Sequence, residues 1–263
     1  MEIRFMEIRR MEGRCMADHG MGDRCMDDRF AEDRYVKPHF ESAAVVTIDL
    51  QNDFSLPGAV AEIPGTAGVL PNAARIAEAA RQAGMPIIHV IRIYREDGSN
   101  ADACRRRLLE SGRRIVAPGT PGADLVAAIK PADAEPLMHD RLLAGEIQSL
   151  GPREWVIYKP RWGAFYGTAL DAFLRDRGVD TLIVVGCNFP NCPRTTIYEA
   201  SERDYRVVMV EDAVSGVYGR GVEELRNIGV RVMSTDEVLE RIAATGRKSG
   251  SRRAEPASRN QPG

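Results

Sequence analysis

The sequence predicts an α/β fold in which helices cover both faces of a doubly wound, mostly parallel sheet of six strands. Three observations predict it. Short apolar runs alternate with segments of helical composition along about 200 residues. The runs are continuous in Val, Ile and Leu rather than alternating with polar residues, which is typical of parallel strands buried on both faces. Glycine follows several helical segments, where it can end a helix.

The strands and helices can be placed from local composition. The apolar runs that predict strands are Ala43–Leu50, Pro86–Ile93, Trp155–Tyr158, Thr181–Val185, Val207–Val210 and Val230–Met233. Helical composition predicts helices at Asn72–Ala83, Ala169–Arg177, Thr195–Arg203, Gly221–Asn227 and Asp236–Ile242. Ligands of doubly wound sheets bind beyond the carboxyl ends of the strands, so the residues just after each strand are the first candidates for chemistry.

The two ends of the chain do not share this pattern. Residues 1–40 contain seven tandem pentapeptides with Met at positions 1, 6, 11, 16, 21 and 26, and a period of five gives neither a helical nor a strand face. Residues 246–263 are basic and rich in Ser, Gly and Pro. Both segments are predicted to be disordered tails of a domain at 41–245, with metal chelation by the repeat as an alternative. The long insert from Arg95 to Leu150 is expected to form a lid or an oligomer contact.

Composition argues against several functional classes. The net charge of the 263 residues is −2, which gives no electrostatic footprint for a nucleic-acid partner. There is no apolar run of about 20 residues that would cross a membrane, and the first residues lack the apolar stretch of a signal peptide. The five cysteines are scattered and odd in number, which does not suggest a disulfide framework, so the cytoplasm is the predicted location.

Chemically distinctive residues follow three of the predicted strands. Asp49 ends the first strand, Lys159 follows the third, and Cys192 lies in the segment after the fourth. Because the carboxyl ends of parallel strands share one edge of a sheet, an acid, a cation and a thiol can meet in one cleft there. Pro193 suits the first turn of a helix, which places Cys192 at or just before a helix N-terminus. Such a position is expected to lower the pKa of a thiol and to offer N–H groups to an oxyanion, as acyl transfer through a thioester requires.

Each of these residues also has a simpler interpretation when it is taken alone. Cys192 suits a buried structural thiol, Asp49 a turn cap, and Lys159 a solvated strand end. Cys187 and Cys192 form a C-x4-C pair that would suit a metal or a redox role. No matching Cys/His pair occurs elsewhere in the sequence, so no metal and no cofactor are predicted.

Together the three segments resemble the isochorismatase-like cysteine hydrolases, which include nicotinamidases, carbamoylsarcosine amidohydrolases and ureidoacrylate hydrolases. The family's D-x-Q-x-D-F pattern is found at Asp49–Phe54. Its Lys, followed by a small-Ala-Phe segment, is found at Lys159 and 163–165. Its Cys, six residues after the Gly that ends a strand, is found at Cys192. The resemblance covers about Ala43–Ile242 and implies a Rossmann-like hydrolase fold.

The resemblance also implies a mechanism. Asp49 would take the proton of Cys192 and later pass it to the leaving nitrogen, while Lys159 stabilises both anions. The backbone N–H groups of Asn191 and Cys192 would form the oxyanion hole. A small amide or ureide substrate and a homodimer or homotetramer are expected.

A cis peptide that does not involve proline often precedes the Cys in this family. Here it would lie near Cys187–Asn188, with Pro190 as another possible bent point.

The sequence departs from the family pattern around the expected pocket. Phe189 replaces a common Thr, Gly163 a common Ser, and Pro193 a small apolar residue. The D-x-H motif of nicotinamidase metal sites does not occur, which disfavours nicotinamide as substrate.

The residues predicted to bind substrate are Gln51, Phe54, Arg161, Trp162, Phe165, Tyr166, Asn188 and Phe189. For the aromatic residues, core packing is the competing interpretation. An arginine facing the cleft, Arg161 or Arg95, would favour an acidic substrate. The predicted function is therefore a cysteine-dependent amidohydrolase of small C–N bonds. Vinyl ether hydrolysis of the isochorismatase type, non-catalytic ligand binding and a redox role are the alternatives.

Overall fold

The computed structural model describes residues 33–252 of the chain, which form a seven-stranded sheet with helices on both faces. The strands are β1 Ala43–Ile48, β2 Ile87–Ile91, β3 Gln148–Gly151, β4 Glu154–Tyr158, β5 Thr181–Gly186, β6 Arg206–Val214 and β7 Arg231–Met233. Their order across the sheet is β3-β4-β2-β1-β5-β6-β7. All neighbours are parallel except β3 and β4, so the predicted doubly wound α/β fold is confirmed.

The helices pack on the sheet in two layers. Within the described range they are α1 Asn52–Ser55, α2 Thr66–Ala83, α3 Ala103–Glu110, α4 His139–Leu143, α5 Leu170–Arg175, α6 Cys192–Ser201, α7 Gly219–Asn227 and α8 Thr235–Arg252. Helices α2 and α8 contribute buried residues to the core on one face, and α5, α6 and α7 contribute to the core on the other. No helix in the described part of the chain is long and apolar enough to cross a membrane.

Strand β1 lies at the centre of the sheet and is buried at all six positions. Successive side chains point to opposite faces, so Val45 packs in the core under α2 and α8 while Val46 packs in the core under α5, α6 and α7. Each fully buried side chain of this size contributes about 1.5–3 kcal/mol. Burial on both faces explains why the strand is a continuous apolar run.

The prediction of six strands was wrong by one, because it missed β3. This edge strand forms an antiparallel pair with β4. Its sequence, Gln-Ser-Leu-Gly, alternates between buried and more exposed positions, with Leu150 as its one large apolar side chain. A one-sided edge strand does not need the continuous apolar run that identified the other strands.

Helix α2 begins at Thr66, earlier than the predicted start at Asn72, and continues through Pro71. Proline inside a helix removes one backbone hydrogen bond. Thr66 and Leu70 are buried, and their packing offsets that loss. The predicted helix began only at Asn72 because local sequence does not show this burial.

Described residues lie beyond both bounds of the domain predicted at 41–245. His39, in the predicted N-terminal tail, donates its backbone N–H to Thr181 Oγ1 at 3.0 Å, and its Nδ1 lies 2.8 Å from Asp180 Oδ2. Helix α8 continues to Arg252. The rest of the predicted tails, residues 1–32 and 253–263, lies outside the described residues.

A buried polar network ties β1, β2 and β4 to α2. Thr47 Oγ1 lies 2.8 Å from His89 Nδ1, and His89 Nε2 lies 2.7 Å from Glu154 Oε1. Arg81 donates from Nε and Nη2 to the two oxygens of Glu154, both at 2.8 Å. Burial raises the pKa of Glu154, but hydrogen bonds from Arg81 and His89 outweigh it and hold the pKa at about 2. Glu154 begins β4, so this salt bridge lies at the opposite end of that strand from Lys159.

Candidate active site

The carboxyl edge of the sheet brings the three predicted catalytic residues together. Asp49 follows β1, Lys159 follows β4, and Cys192 opens α6 after β5. Lys159 Nζ lies 2.9 Å from Asp49 Oδ2, and the two residues are 0% and 3% exposed. Burying either charge alone would cost several kcal/mol, so each residue stabilises the charge of the other.

The backbone at this edge is shaped by two unusual conformations. Asp49 has φ 53°, in the left-handed region, where Asp is tolerated better than most side chains. Gly186, at the end of β5, has φ 129°. A Cβ on Gly186 would lie 2.2 Å from Ile48 O, so only glycine fits beside β1 here. The close approach of β1 and β5 places Asp49 next to the segment that carries Cys192.

One oxygen of the Asp49 carboxylate has no partner. Lys159 binds Oδ2, whereas Oδ1 is buried and has no hydrogen-bond partner among the described residues. Burying an acceptor without a donor costs folding free energy, so this oxygen is a candidate for a functional role. Oδ1 is available to accept a proton within the site.

Cys192 is the first residue of α6, and Pro193 occupies the second position, as predicted. Burial and the charge of Asp49 raise the pKa of the Cys192 thiol to about 12, although Lys159 and Arg92 act in the opposite direction. This direction is opposite to the lowering expected from the helix N-terminus, because burial and the neighbouring carboxylate both favour the neutral thiol. Cys192 is a neutral thiol at neutral pH and needs a base to become a nucleophile.

The predicted oxyanion donors differ in their availability. The Asn191 N–H donates to Asn188 O at 3.0 Å, so it is already engaged. Cys192, as the first residue of a helix, has an N–H without a partner inside the helix. The peptide bond Cys187–Asn188 is cis, at the first of the two predicted positions, and the Asn188 N–H has no acceptor within the described chain.

Three of the residues predicted to bind substrate lie at an open depression of about 500 Å³. These are Arg161, Trp162 and Tyr166. Trp162 is 42% exposed and Tyr166 60% exposed, so both rings are accessible. The depression also reaches Thr195 on α6, one turn after Cys192.

Three other predicted binding residues are buried, with their side chains engaged in internal contacts. Phe165 packs against the ring of Tyr205 at 5.6 Å, and Phe189, fully buried, against Tyr218 at 5.3 Å. Gln51 is fully buried and uses its amide on backbone groups, donating to Arg92 O and accepting from Arg92 N, both at 2.8 Å. Phe165 and Tyr166 are adjacent in sequence, yet the first is buried and the second exposed, which composition alone does not reveal.

The two remaining predicted binding residues lie close to the site. Phe54 is 5% exposed and packs in a small apolar cluster that includes Cys187. Asn188 is partly buried, and its Oδ1 accepts from Asn191 Nδ2 at 3.1 Å. Asn188 belongs to the Cys187–Cys192 segment, and Phe54 packs in the same cluster as Cys187.

Cys187 is a buried free thiol, and its Sγ donates to Asp49 O at 3.1 Å. Full burial and the charge of Asp49 raise the pKa of Cys187 well above its usual value. Cys104 and Cys192 are also free thiols. No group of three or more His, Cys, Asp or Glu residues in the described range is placed to hold a metal ion.

Arg92, which follows β2 and is 3% exposed, was not among the residues predicted from the sequence. Arg92 forms a salt bridge with Asp102 and donates from Nη1 to Lys159 O at 3.1 Å. A single arginine in the apolar run PIIHVIRI was a visible signal of a paired or functional charge.

Comparisons with known proteins show the family of the chain. A family model described as the isochorismatase domain matches residues 43–145 and 138–237. The chain is 32% identical over 210 residues to a protein of Arabidopsis thaliana described as a probable inactive nicotinamidase, covering 78% of this chain and 98% of that protein. It is 33% identical over 208 residues to an N-carbamoylsarcosine amidase of an Arthrobacter species, covering 76% of this chain and 71% of that protein.

Among solved structures, an isochorismatase family protein of Desulfovibrio vulgaris matches with a TM-score of 0.65 and 36% identity, covering 77% of this chain and 98% of that one. The fold, the family model and the sequence relatives thus agree. The chain belongs to the isochorismatase family, whose members include hydrolases that act on amides.

Proposed function

We propose that the protein is a cysteine hydrolase that cleaves a small amide, ureide or carbamoyl C–N bond through a thioester on Cys192. The observation that carries the proposal is the buried Lys159–Asp49 pair, 2.9 Å apart, in which Oδ1 has no partner among the described residues and the carboxylate is close enough to raise the pKa of the Cys192 thiol. A solely structural ion pair has no need for an unpaired carboxylate oxygen. A general base for a neutral thiol does need one.

In the first half of the reaction, Asp49 Oδ1 takes the thiol proton while Cys192 Sγ bonds to the substrate carbonyl carbon. The tetrahedral oxyanion accepts a hydrogen bond from the Cys192 N–H. Asn188 is a better second donor than Asn191, because the Asn188 N–H has no acceptor among the described residues whereas the Asn191 N–H is already engaged. Asp49 then returns its proton to the nitrogen as the C–N bond breaks. Ammonia or an amine leaves, and the acyl group remains on sulfur.

In the second half, Asp49 takes a proton from water as the water oxygen bonds to the thioester carbon. The C–S bond breaks, the product acid leaves, and the proton returns to Cys192 Sγ. Lys159 keeps its charge throughout and stabilises Asp49 and the departing thiolate. Every proton is exchanged among thiol, carboxylate, nitrogen and water, so these steps need no cofactor.

The open depression beside α6 suits a small substrate with an apolar or planar part. Trp162 and Tyr166 offer exposed rings, and Arg161 offers a cation at the same place. The Arthrobacter relative is named as an amidase of N-carbamoylsarcosine, a small carbamoyl acid. This supports a carbamoyl or ureide substrate class for the present chain.

A non-catalytic, ligand-binding role is the second candidate, because the Arabidopsis relative is described as a probable inactive nicotinamidase. Loss of activity in this fold is expected to follow loss of the acid, the cation or the thiol. Asp49, Lys159 and Cys192 are all present in this chain. Their presence favours catalysis.

The location and assembly proposed from the sequence remain the cytoplasm and a homodimer or homotetramer. Free Cys104, Cys187 and Cys192 are compatible with a reducing compartment.

The test is release of ammonia or amine from a panel of carbamoyl acids, ureides and primary amides by the purified full-length chain. Cys192→Ala and Asp49→Asn are expected to abolish release, by at least about 10³-fold. Arg75→Gln, which changes an exposed side chain on α2 away from the depression, is the control and is expected to keep full activity. Undiminished release by Cys192→Ala would reject the thioester mechanism. Absence of release across the panel would favour the ligand-binding role or vinyl ether hydrolysis.

A further inference from the structure

Arg92 is a second buried cation at the candidate active site. It follows β2, between the strands that end at Asp49 and Lys159, and it is 3% exposed. A buried arginine is rare unless it is paired and hydrogen-bonded. The proposed mechanism uses Lys159 as its cation and gives Arg92 no role.

Each part of Arg92 is held in place. Its Nη1 donates to Lys159 O at 3.1 Å, and its Nη2 donates to Tyr94 Oη at 3.2 Å and forms a salt bridge with Asp102. Tyr94 Oη donates in turn to Asp102 Oδ2 at 3.2 Å. Gln51 holds the Arg92 backbone through its N and O, both at 2.8 Å. These contacts leave the guanidinium well committed within the protein, so Arg92 is not a substrate-binding group.

We propose that Arg92 is a positioning residue: it fixes Lys159 through its carbonyl oxygen, and its charge, moderated by Asp102, is a second cation for the Cys192 thiolate. The inference rests on the proposed role of Cys192 as nucleophile.

The charges around Cys192 support this assignment. Those that act on the thiol come from the ends of three neighbouring strands: Asp49 after β1, Arg92 after β2 and Lys159 after β4. Asp49 raises the pKa of the thiol, whereas Lys159 and Arg92 lower it. Cys187 is a further ionisable neighbour, but it is fully buried and its raised pKa keeps it neutral. Arg92 therefore opposes the effect of the base on the thiol without contacting the reacting atoms.

Asp102 partly neutralises the charge of Arg92 through their salt bridge. It lies in the insert, just before α3, and lines the depression that contains Trp162. By pairing with Arg92, Asp102 reduces the positive field at Cys192. Replacing Asp102 with a neutral residue of the same shape is therefore expected to favour the thiolate, the opposite of replacing Arg92.

The test measures the rate of Cys192 alkylation by iodoacetamide between pH 7 and 10, using the folded full-length protein and mass spectrometry of the Cys192 peptide. Because the thiolate fraction changes tenfold per pKa unit, Arg92→Met is expected to slow alkylation by about three- to tenfold. Arg92→Lys, which keeps the charge, is expected to stay closer to the original rate. Asp102→Asn is expected to accelerate alkylation by about two- to threefold.

Arg81→Met is the matched control. Arg81 also forms a salt bridge with a buried carboxylate, Glu154, but at the opposite end of β4. The Arg81→Met substitution is expected to lower the melting temperature and to leave the Cys192 alkylation rate unchanged. A purely structural role for Arg92 would give the same pattern in Arg92→Met.

The inference is overturned if folded Arg92→Met alkylates within twofold of the original protein, or if Asp102→Asn slows alkylation as much as Arg92→Met does. If Arg92→Met does not fold, Asp102→Asn decides the question: acceleration supports the role of Arg92, and a rate within the range of Arg92→Lys and the original protein overturns it. Alkylation does not depend on a known substrate. Failure of the proposed function, seen as turnover by Cys192→Ala, is therefore distinguishable from failure of the role of Arg92.

Discussion

Replacing Lys159 with Met removes the cation of the central ion pair while keeping a side chain of similar length. Asp49, 3% exposed, would then be a buried carboxylate with neither oxygen paired to a cation. Breaking a buried pair in this way costs about 3–5 kcal/mol in other proteins. Near the lower value, the melting temperature of a domain of this size is expected to fall by about 6–12 °C.

A double-mutant cycle separates the ion pair from general packing. Asp49→Asn and Lys159→Met each leave one buried group without its partner, whereas the double variant leaves two neutral side chains. We expect the double variant to be more stable than additivity predicts by about 2–3 kcal/mol, and to remain without hydrolase activity. Urea unfolding of the four proteins at neutral pH measures this coupling. Additivity within about 0.5 kcal/mol would refute the idea that each charge is buried because of the other.

Three further predictions follow from other parts of the structure. Glu154→Gln is expected to lower the free energy of unfolding by up to about 3 kcal/mol at pH 7. The pKa of Glu154 is about 2 against 4.5 ordinarily, so its contribution is complete above pH 4.5 and is lost as the pH falls towards 2. Urea unfolding at pH 7 and pH 3 should show that the difference from the original protein shrinks in acid. Gly186→Ala is expected to prevent folding or to cost more than about 3 kcal/mol of stability, because the new Cβ would lie 2.2 Å from a backbone oxygen. Gly68→Ala is the control: Gly68 lies in open space within α2, so thermal melts should show a neutral or stabilising effect. Trp162→Ala is expected to raise KM about tenfold with little change in stability, because Trp162 is accessible to substrate. Phe165→Ala should instead lower stability by about 3–5 kcal/mol, because Phe165 is buried. An unchanged KM in Trp162→Ala would place the substrate elsewhere.

The parts of the fold that were predictable from sequence share one physical cause. Strands such as β1 and β5 are buried on both faces, so their residues form continuous apolar runs that can be read directly. Pro193 predicted the start of α6 because proline suits the first turn of a helix. Once these elements were placed, parallel topology alone predicted that Asp49 and Lys159 would meet at one edge of the sheet.

The remaining features depend on contacts between residues distant in sequence. The edge strand β3 has only one buried face, so its run is too mixed to identify. Whether Phe165 points into the core or towards the cleft is decided by Tyr205, which lies on the far side of α6 in the sequence. The direction of the Cys192 pKa depends on how deeply the fold buries the thiol beside Asp49. Arg92 gains its interest only through Asp102 and the Lys159 carbonyl.

The central claim is that Cys192 carries the acyl group during turnover. The most direct measurement is acid quenching of the full-length protein during turnover of an active carbamoyl or amide substrate, followed by mass spectrometry of its peptides. We expect the Cys192 peptide to gain the mass of the acyl group and to lose it on treatment with hydroxylamine, with Cys104 and Cys187 unmodified. Rapid turnover with no acyl adduct, together with undiminished activity in Cys192→Ala, would contradict the account.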